Sequence, residues 1–299
     1  MDIKEIKKLK VGEVLTNVNI KKYTTYHAGG IATCLVIPKD VDKLIVLLKY
    51  LKENNIKHKI LGNGSNLIFS DSLYDGVLIK LDKLDKLEIT GNKIVVGAGY
   101  NLIKLAIKTA NLSLTGLEFA SGIPGTIGGA VFMNAGAYNS DMGYFVKDVK
   151  VLTPSYEIKT LTNKEMDFHY RSSFLQKNRD YVCLEATLLL RHGKKETILE
   201  VIRDRKERRI QSQPLEYPSA GSTFKRPTGY FAGKLIQDAG LKGYSIGGAA
   251  VSEKHSGFVI NKGNATAKDI TDLIKHIQDE VKKQFGVDLH TEVRIIGEE

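Results

Sequence analysis

The chain has 299 residues, enough for two or three compact units around a sizeable core, and its 42% hydrophobic and 26% charged residues are ordinary for a soluble globular protein. Two cysteines, Cys34 and Cys183, are too few for a disulfide framework and point to a reducing, cytoplasmic setting; the seven histidines form no HExxH or other close group, so no metal is expected. The formal charge of +10 suits either lysines scattered over solvated faces or a polyanionic ligand. Zinc-finger and RRM-type patterns are missing, so no nucleic acid is expected and a small phosphorylated ligand fits equally well.

Along the chain, "MDIKEIKKLKVGEVL" opens an N-terminal helical segment (1–22) that lacks the apolar core of a signal peptide. "TCLVIP" reads as a strand. "DVDKLIVLLKYLKENN" reads as an amphipathic helix with Asp40 as cap and Leu44, Leu47, Leu48 and Leu51 on one face. "HKILGNGSNLIFSD" and "DGVLIKL" give strand, glycine loop, strand and a further strand. "NKIVVGAGYNLIKLAIKTANL" leads from a strand through Gly97 and Gly99 into a helix capped by Asn101. From Phe119 to Ser140 no side chain is charged, yet five glycines, Pro124, Asn134 and Asn139 make this stretch too polar for a membrane span. "VKDVKVLT" and "YVCLEATLLL" alternate as strands. Past "RHGKK" come a basic helix "ETILEVIRDRKERRI", a proline-marked loop "QPLEYPSAGSTFKRP", a short helix "YFAGKLIQDAG" and a strand "HSGFVIN". A long helix through Ile270, Leu273, Ile274, Ile277, Val281 and Phe285 stops at Gly286, before a last strand "TEVRIIG". The fold class is α+β.

"GNGSNL" and "GAGYNL" each carry two glycines of the dinucleotide fingerprint GxGxxG and miss the third. The strand after "GNGSN" is the wrong context for a Rossmann pyrophosphate site, and a plain glycine turn between strands explains either motif alone. Gly122, Gly125, Gly128 and Gly129 strip side chains from four positions within eight, so backbone amides can face a ligand, and Ile123, Ile127, Val131 and Phe132 add an apolar wall. The combination points to a large cofactor with a diphosphate and a ring; a tightly packed core turn is the alternative.

Seven segments, "YHAGGIA", "LGNGSNLIFSD", "GLEFASGIPGTIGGAVFMNAGAY", "YRSSF", "PSAGSTFKRP", "AGKLIQDAGLKGYSIGGAAVS" and "EVRIIGE", run in order from about Thr24 to Glu298. Together they resemble the UDP-N-acetylenolpyruvoylglucosamine reductase family of bacterial peptidoglycan synthesis. The resemblance implies a two-lobed PCMH-type (vanillyl-alcohol-oxidase-like) FAD-binding domain over 23–194, with lobes of about 23–84 and 85–194. A smaller α+β substrate-binding domain follows over 195–299. It implies non-covalent FAD, with Gly62, Asn63, Gly64, Ser65 and Asn66 around the diphosphate and Gly122, Ile123, Gly125, Ile127 and Gly128 lining the adenine-to-flavin groove. NADPH and UDP-N-acetylglucosamine enolpyruvate are the implied partners.

Three residues are carried over as catalytic and expected to converge. Ser222 in "AGSTF" matches the proton donor, Arg171 in "YRSSF" the arginine that holds the substrate carboxylate, and Glu292 in "EVRIIGE" the carboxylate that positions the enol. Taken from local sequence alone, they read as a turn serine beside Gly221, a surface arginine and a solvated strand-edge glutamate. Tyr26, Lys225, Arg226, Arg209 and Arg294 are secondary candidates for phosphates or the flavin pyrimidine edge. Some members carry an insertion whose tyrosine covers the UDP moiety. Only 51 positions separate Arg171 from Ser222, which fits the short-loop branch. A monomer is expected. An FAD oxidase on the same scaffold and a non-enzymatic basic RNA-binding protein are the rival readings.

Overall fold

The computed structural model describes residues 1–297, so Glu298 of the last motif lies outside the described residues. In chain order the elements begin with α1 (Ile3–Lys8), β1 (Gly12–Asn19), β2 (Ile31–Pro38), α2 (Val41–Glu53), β3 (His58–Leu61), β4 (Leu67–Phe69) and β5 (Tyr74–Lys80). They continue with β6 (Leu87–Thr90), β7 (Lys93–Gly97), α3 (Leu102–Asn111), β8 (Leu114–Thr115), α4 (Ile127–Met133), β9 (Gly136–Ala137) and β10 (Ser140–Asp141). Next are β11 (Val146–Leu152), β12 (Ile158–Thr162), α5 (Phe174–Lys177), β13 (Val182–Leu189), β14 (Arg191–His192) and α6 (Lys195–Ser212). The chain closes with α7 (Ala232–Asp238), β15 (Ser245–Ile246), β16 (Ala249–Val251), β17 (Val259–Asn261), α8 (Ala267–Phe285) and β18 (Arg294–Ile296).

The helices form where local signals agree. Asp40 caps α2, its carboxylate accepting from Lys43 N at 2.8 Å, and Leu44, Leu47, Leu48 and Leu51 are all buried. Asn101 caps α3 in the same way, from Lys104 N at 2.9 Å. The N-terminal segment differs from expectation. Helix stops at Lys8, Lys10 takes a left-handed φ of 52°, and residues 12–19 are a strand.

Two compact units emerge, neither continuous in sequence. The first takes Met1–Thr16, Cys34–Asn63 and Gly76–Glu207; the second takes Asn17–Thr33, Gly64–Asp75 and the chain from Arg208 on. These divisions differ from the contiguous ones expected after residues 22 and 194. The cause is pairing between remote segments: β18 runs parallel to β4, with Arg294 opposite Leu67 and Ile296 opposite Phe69. Tyr26 and Ile68 also share a core with Ile270, Leu273 and Ile277 of α8.

In the first unit a five-stranded antiparallel sheet has the order β12-β11-β13-β7-β6, and β14 pairs with β8. A four-stranded sheet, β1-β2-β5-β3, has β3 and β5 parallel. One apolar core runs from Leu44 and Val77 through Ile94 and Leu105 to Val149 and Leu188. In the second unit the sheet β15-β16-β17 backs α8, whose stripe Ile270, Leu273, Ile274, Ile277 and Val281 is buried.

Candidate active site

In the first unit the charge-free stretch lies along the end of β7 and the start of α3. Leu102 N donates to Gly125 O at 3.0 Å, Ile127 N to Tyr100 O at 2.9 Å and Gly128 N to Ala98 O at 2.8 Å. A Cβ on Gly128 would stand 3.0 Å from Ala98 Cβ, so glycine lets this strap lie flush. Thr126 then starts α4, its hydroxyl 3.4 Å from Gly129 N, and Asn134 ends it with a left-handed φ of 43°. The N–H groups of Ile123, Ile127 and Gly128 are therefore engaged within the protein, Ile123 N with Ala120 O at 3.1 Å, and are not the amides that face a ligand. What this backbone offers is closeness.

The loop after β3 supplies donors instead. A Cβ on Gly62 would come 2.8 Å from Thr126 Oγ1, so this end of the glycine loop abuts the strap within the first unit. Lys80, buried at the end of β5, points its ammonium at Gly62 O (3.3 Å) and Asp82 (3.5 Å). The unit boundary falls between Asn63 and Gly64. Among the described residues the N–H groups of Gly62, Asn63, Gly64 and Ser65 find no protein acceptor, a surplus that a folded chain fills with water or an anion. Gly64 has φ 60°, and a Cβ there would run into Tyr23 O and stand 2.9 Å from Thr24 Cα. Tightly held backbone with free donors is a backbone chemistry that can take an anion.

Arg171 also belongs to the first unit, in a turn pinned to the end of α4. Ser173 Oγ donates to Phe132 O at 2.7 Å, Gln176 Nε2 to Phe132 O at 3.0 Å and to Arg171 O at 2.8 Å. Asn134, buried, donates to His169 O at 2.9 Å and accepts from Gly143 N at 2.9 Å. Arg171 itself has a left-handed φ of 52° and donates through Nη2 to Gly136 O at 2.9 Å. Its guanidinium lies 5.2 Å from the Tyr170 ring centroid. The strap and the arginine turn are thus one packed assembly.

Ser222 and Glu292 belong to the second unit, where hydrogen bonds bring their backbones together. Glu292 N donates to Thr223 O at 2.8 Å, Phe224 bridges Thr291, and Lys225 N donates to His290 O at 2.8 Å. Ser222 is exposed beside buried Thr223, and Gly221, at φ 75°, has open space on its Cβ side. Asn66 holds the same segment: Nδ2 donates to Glu292 O at 3.0 Å, and Asn66 O accepts from Arg294 N at 3.0 Å. Asn66 was expected to serve the diphosphate; its side-chain amide braces Glu292.

The secondary candidates divide. Tyr26 is fully buried and burial pushes its phenol up, so it is a core residue. Arg226 stacks on Phe231 at 4.1 Å, and Arg294 offers its backbone to Asn66. Neither thiol is primed for chemistry, since burial pushes Cys34 to about 11 and Cys183 to about 12. Local sequence gives no sign of the contacts of Lys80 with Gly62 O, of Thr223 O with Glu292 N and of Asn66 with Glu292 O, which join residues apart along the chain.

An α+β chain with a glycine loop, a flush glycine strap and a second unit bearing polar groups defines an FAD-binding protein of the PCMH type with an appended α+β domain. Residues 32–162 match the FAD binding domain model, and residues 213–296 match that of the UDP-N-acetylenolpyruvoylglucosamine reductase, C-terminal domain. The chain belongs to the UDP-N-acetylenolpyruvoylglucosamine reductase family. It is 51% identical over 285 residues to the enzyme of that name from Clostridium perfringens strain SM101, covering 95% of this chain and 93% of the relative. It is 46% identical over 296 residues to that of Bacillus subtilis strain 168, covering 99% and 98%. The crystal structure of the Thermus caldophilus UDP-N-acetylenolpyruvylglucosamine reductase superposes with a TM-score of 0.81 at 31% identity, covering 95% of this chain and 98% of that one.

Proposed function

We propose that this chain is an FAD-dependent reductase that converts UDP-N-acetylglucosamine enolpyruvate to UDP-N-acetylmuramate at the expense of NADPH, in peptidoglycan precursor synthesis. When bound, FAD would supply the hydride-transfer chemistry that links NADPH oxidation to reduction of the enolpyruvyl group. Gly62, Asn63, Gly64 and Ser65 offer amides to its diphosphate, and Gly122, Ile123, Gly125, Ile127 and Gly128 line its groove by close approach of bare backbone. Asn66 borders the loop.

Hydride addition leaves negative charge on the α-carbon and carboxylate of the substrate. Arg171 holds that carboxylate, its fixed positive charge offsetting the enolic charge as it develops. Ser222 gives a proton to the α-carbon, and Glu292 orients the enol. The observation that carries this reading is the 2.8 Å bond from Glu292 N to Thr223 O, which mounts Ser222 and Glu292 on adjoining backbone although they lie far apart in sequence. We further take the enzyme to act in the cytoplasm, as a monomer, on the short-loop plan.

Replacing Ser222 with alanine separates the two halves of the reaction. NADPH-driven bleaching of the flavin stays near the parent rate, while substrate-driven reoxidation falls by roughly 10²–10⁴-fold or more, as expected for a lost general acid. Anaerobic stopped-flow absorbance reads both steps; equal slowing of the two refutes the role.

A further inference from the structure

Thr223 has no exposed surface, yet it is polar. Its N–H donates to Gly257 O at 2.9 Å, its C=O accepts from Glu292 N at 2.8 Å, and its hydroxyl oxygen accepts from Val259 N at 3.0 Å. Beside that hydroxyl lies the buried Tyr26 phenol, whose oxygen has no partner at hydrogen-bond geometry. The segment around Thr223 is pinned on both flanks: Asn261 N donates to Pro218 O at 2.9 Å, Ser219 bridges Ile260, and Phe224 bridges Thr291.

Valine would fill the same volume as threonine. It would leave the Val259 amide facing a methyl group in a dry interior, where an unmade hydrogen bond is costly. That amide gives a hydroxyl at this position a physical reason. The same residue's carbonyl holds the N–H of Glu292, whose own carbonyl is held by Asn66 at 3.0 Å. Both backbone groups of Glu292, its N–H and its C=O, are held, and Ser222 is the covalent neighbour of the residue that holds the first.

We propose that Thr223 is a positioning residue for the reduction: its buried hydroxyl locks the serine segment onto Val259 and so keeps Ser222 and Glu292 in one register. The proposal rests on the role assigned above to Ser222. Thr223 touches neither substrate nor flavin. It acts through the peptides on which the proton donor and the carboxylate are mounted, where a displacement of an ångström costs about 10²-fold in rate.

The test uses the full-length, FAD-loaded chain with Thr223→Val, Thr223→Ser and Ser222→Ala, each followed through both half-reactions. Thr223→Val keeps NADPH-driven bleaching within about twofold of the parent and slows reoxidation by UDP-N-acetylglucosamine enolpyruvate roughly 10- to 100-fold; Thr223→Ser recovers it to within about threefold. Hydrogen exchange at the Val259 and Glu292 amides quickens in Thr223→Val and not in Thr223→Ser. Equal slowing of both half-reactions, or a serine variant as slow as the valine one, overturns the proposal. A slow Ser222→Ala beside a parent-like Thr223→Val overturns it alone, whereas a Ser222→Ala that reoxidises at the parent rate removes the Ser222 assignment first. If Thr223→Val does not fold, Thr223→Ala is read in its place. Loss of folding in both, with Thr223→Ser parent-like, makes Thr223 a stability residue and also overturns the proposal.

Discussion

At the scale of single residues, two glycines with nearly the same backbone angle separate conformation from contact. Gly64 has φ 60° and Gly91 has φ 59°, so a side chain at either is strained by about 1–2 kcal/mol. Gly91 has open space around it, whereas Gly64 is pressed against the backbone of Tyr23 and Thr24. Gly64→Ala therefore has to move the loop proposed above to offer its amides to the diphosphate. It should weaken FAD binding by about tenfold or more, while Gly91→Ala loses only stability and keeps its flavin. Flavin fluorescence titration of the two apoproteins checks this; equal affinities would contradict it. The sequence showed that both positions are glycine but not which one meets backbone, because Tyr23 reaches Gly64 only through the fold. The roles proposed for Ser222, Arg171 and Glu292 come from long motifs, which can be recognised without the fold. Thr223 and the brace from Asn66 cannot be, since their meaning lies in partners remote along the chain.

Among the elements, α8 shows how a helix start is assembled from separate parts of the second unit. Thr266 and Asp269 form a capping box, and the Asp71 carboxylate accepts from Ala267 N and Lys268 N, both at 2.9 Å. Asp269 also accepts from Gly248 N at 3.1 Å. Hydrogen bonds from Thr266 and Gly248 hold the Asp269 carboxyl below its ordinary value, so its contribution is full above about pH 4 and fades as pH falls through the folded value. Asp269→Ala should cost about 1 kcal/mol at neutral pH, with the gap to the parent closing in acid. Thermal unfolding of both proteins across pH 2 to 7 measures it; a gap independent of pH would contradict the assignment. The helices α2, α3 and α8 were readable because caps and apolar stripes are local. Helix α4 was not, as Gly128 and Gly129 each cost about 1 kcal/mol of helix propensity and the packing that compensates, Ala98 against Gly128, is tertiary. The strand β1 was hidden because apolar residues at helical spacing continue past the left-handed Lys10.

For the molecule as a whole, the α+β class and the order of FAD-binding and C-terminal parts could be read from the chain, but its division into units could not. Strand β4 finds its partner in β18 at the other end of the sequence, and residues 17–33 fold with the C-terminal part. No composition shift marks either exchange. The charge of +10 suits a substrate and a co-substrate that both carry phosphates, through long-range attraction and not through any one pair. No helix of the described residues is long and apolar enough to cross a membrane.

One anaerobic experiment follows both proposed passages of hydride, from NADPH to FAD and on to the enolpyruvyl group. Purified protein should be yellow, lose its flavin absorbance on adding NADPH, and regain it only when UDP-N-acetylglucosamine enolpyruvate is supplied, with UDP-N-acetylmuramate formed in equal amount. A protein that retains no flavin after reconstitution, or whose bleached flavin stays bleached in the presence of that substrate, would contradict it.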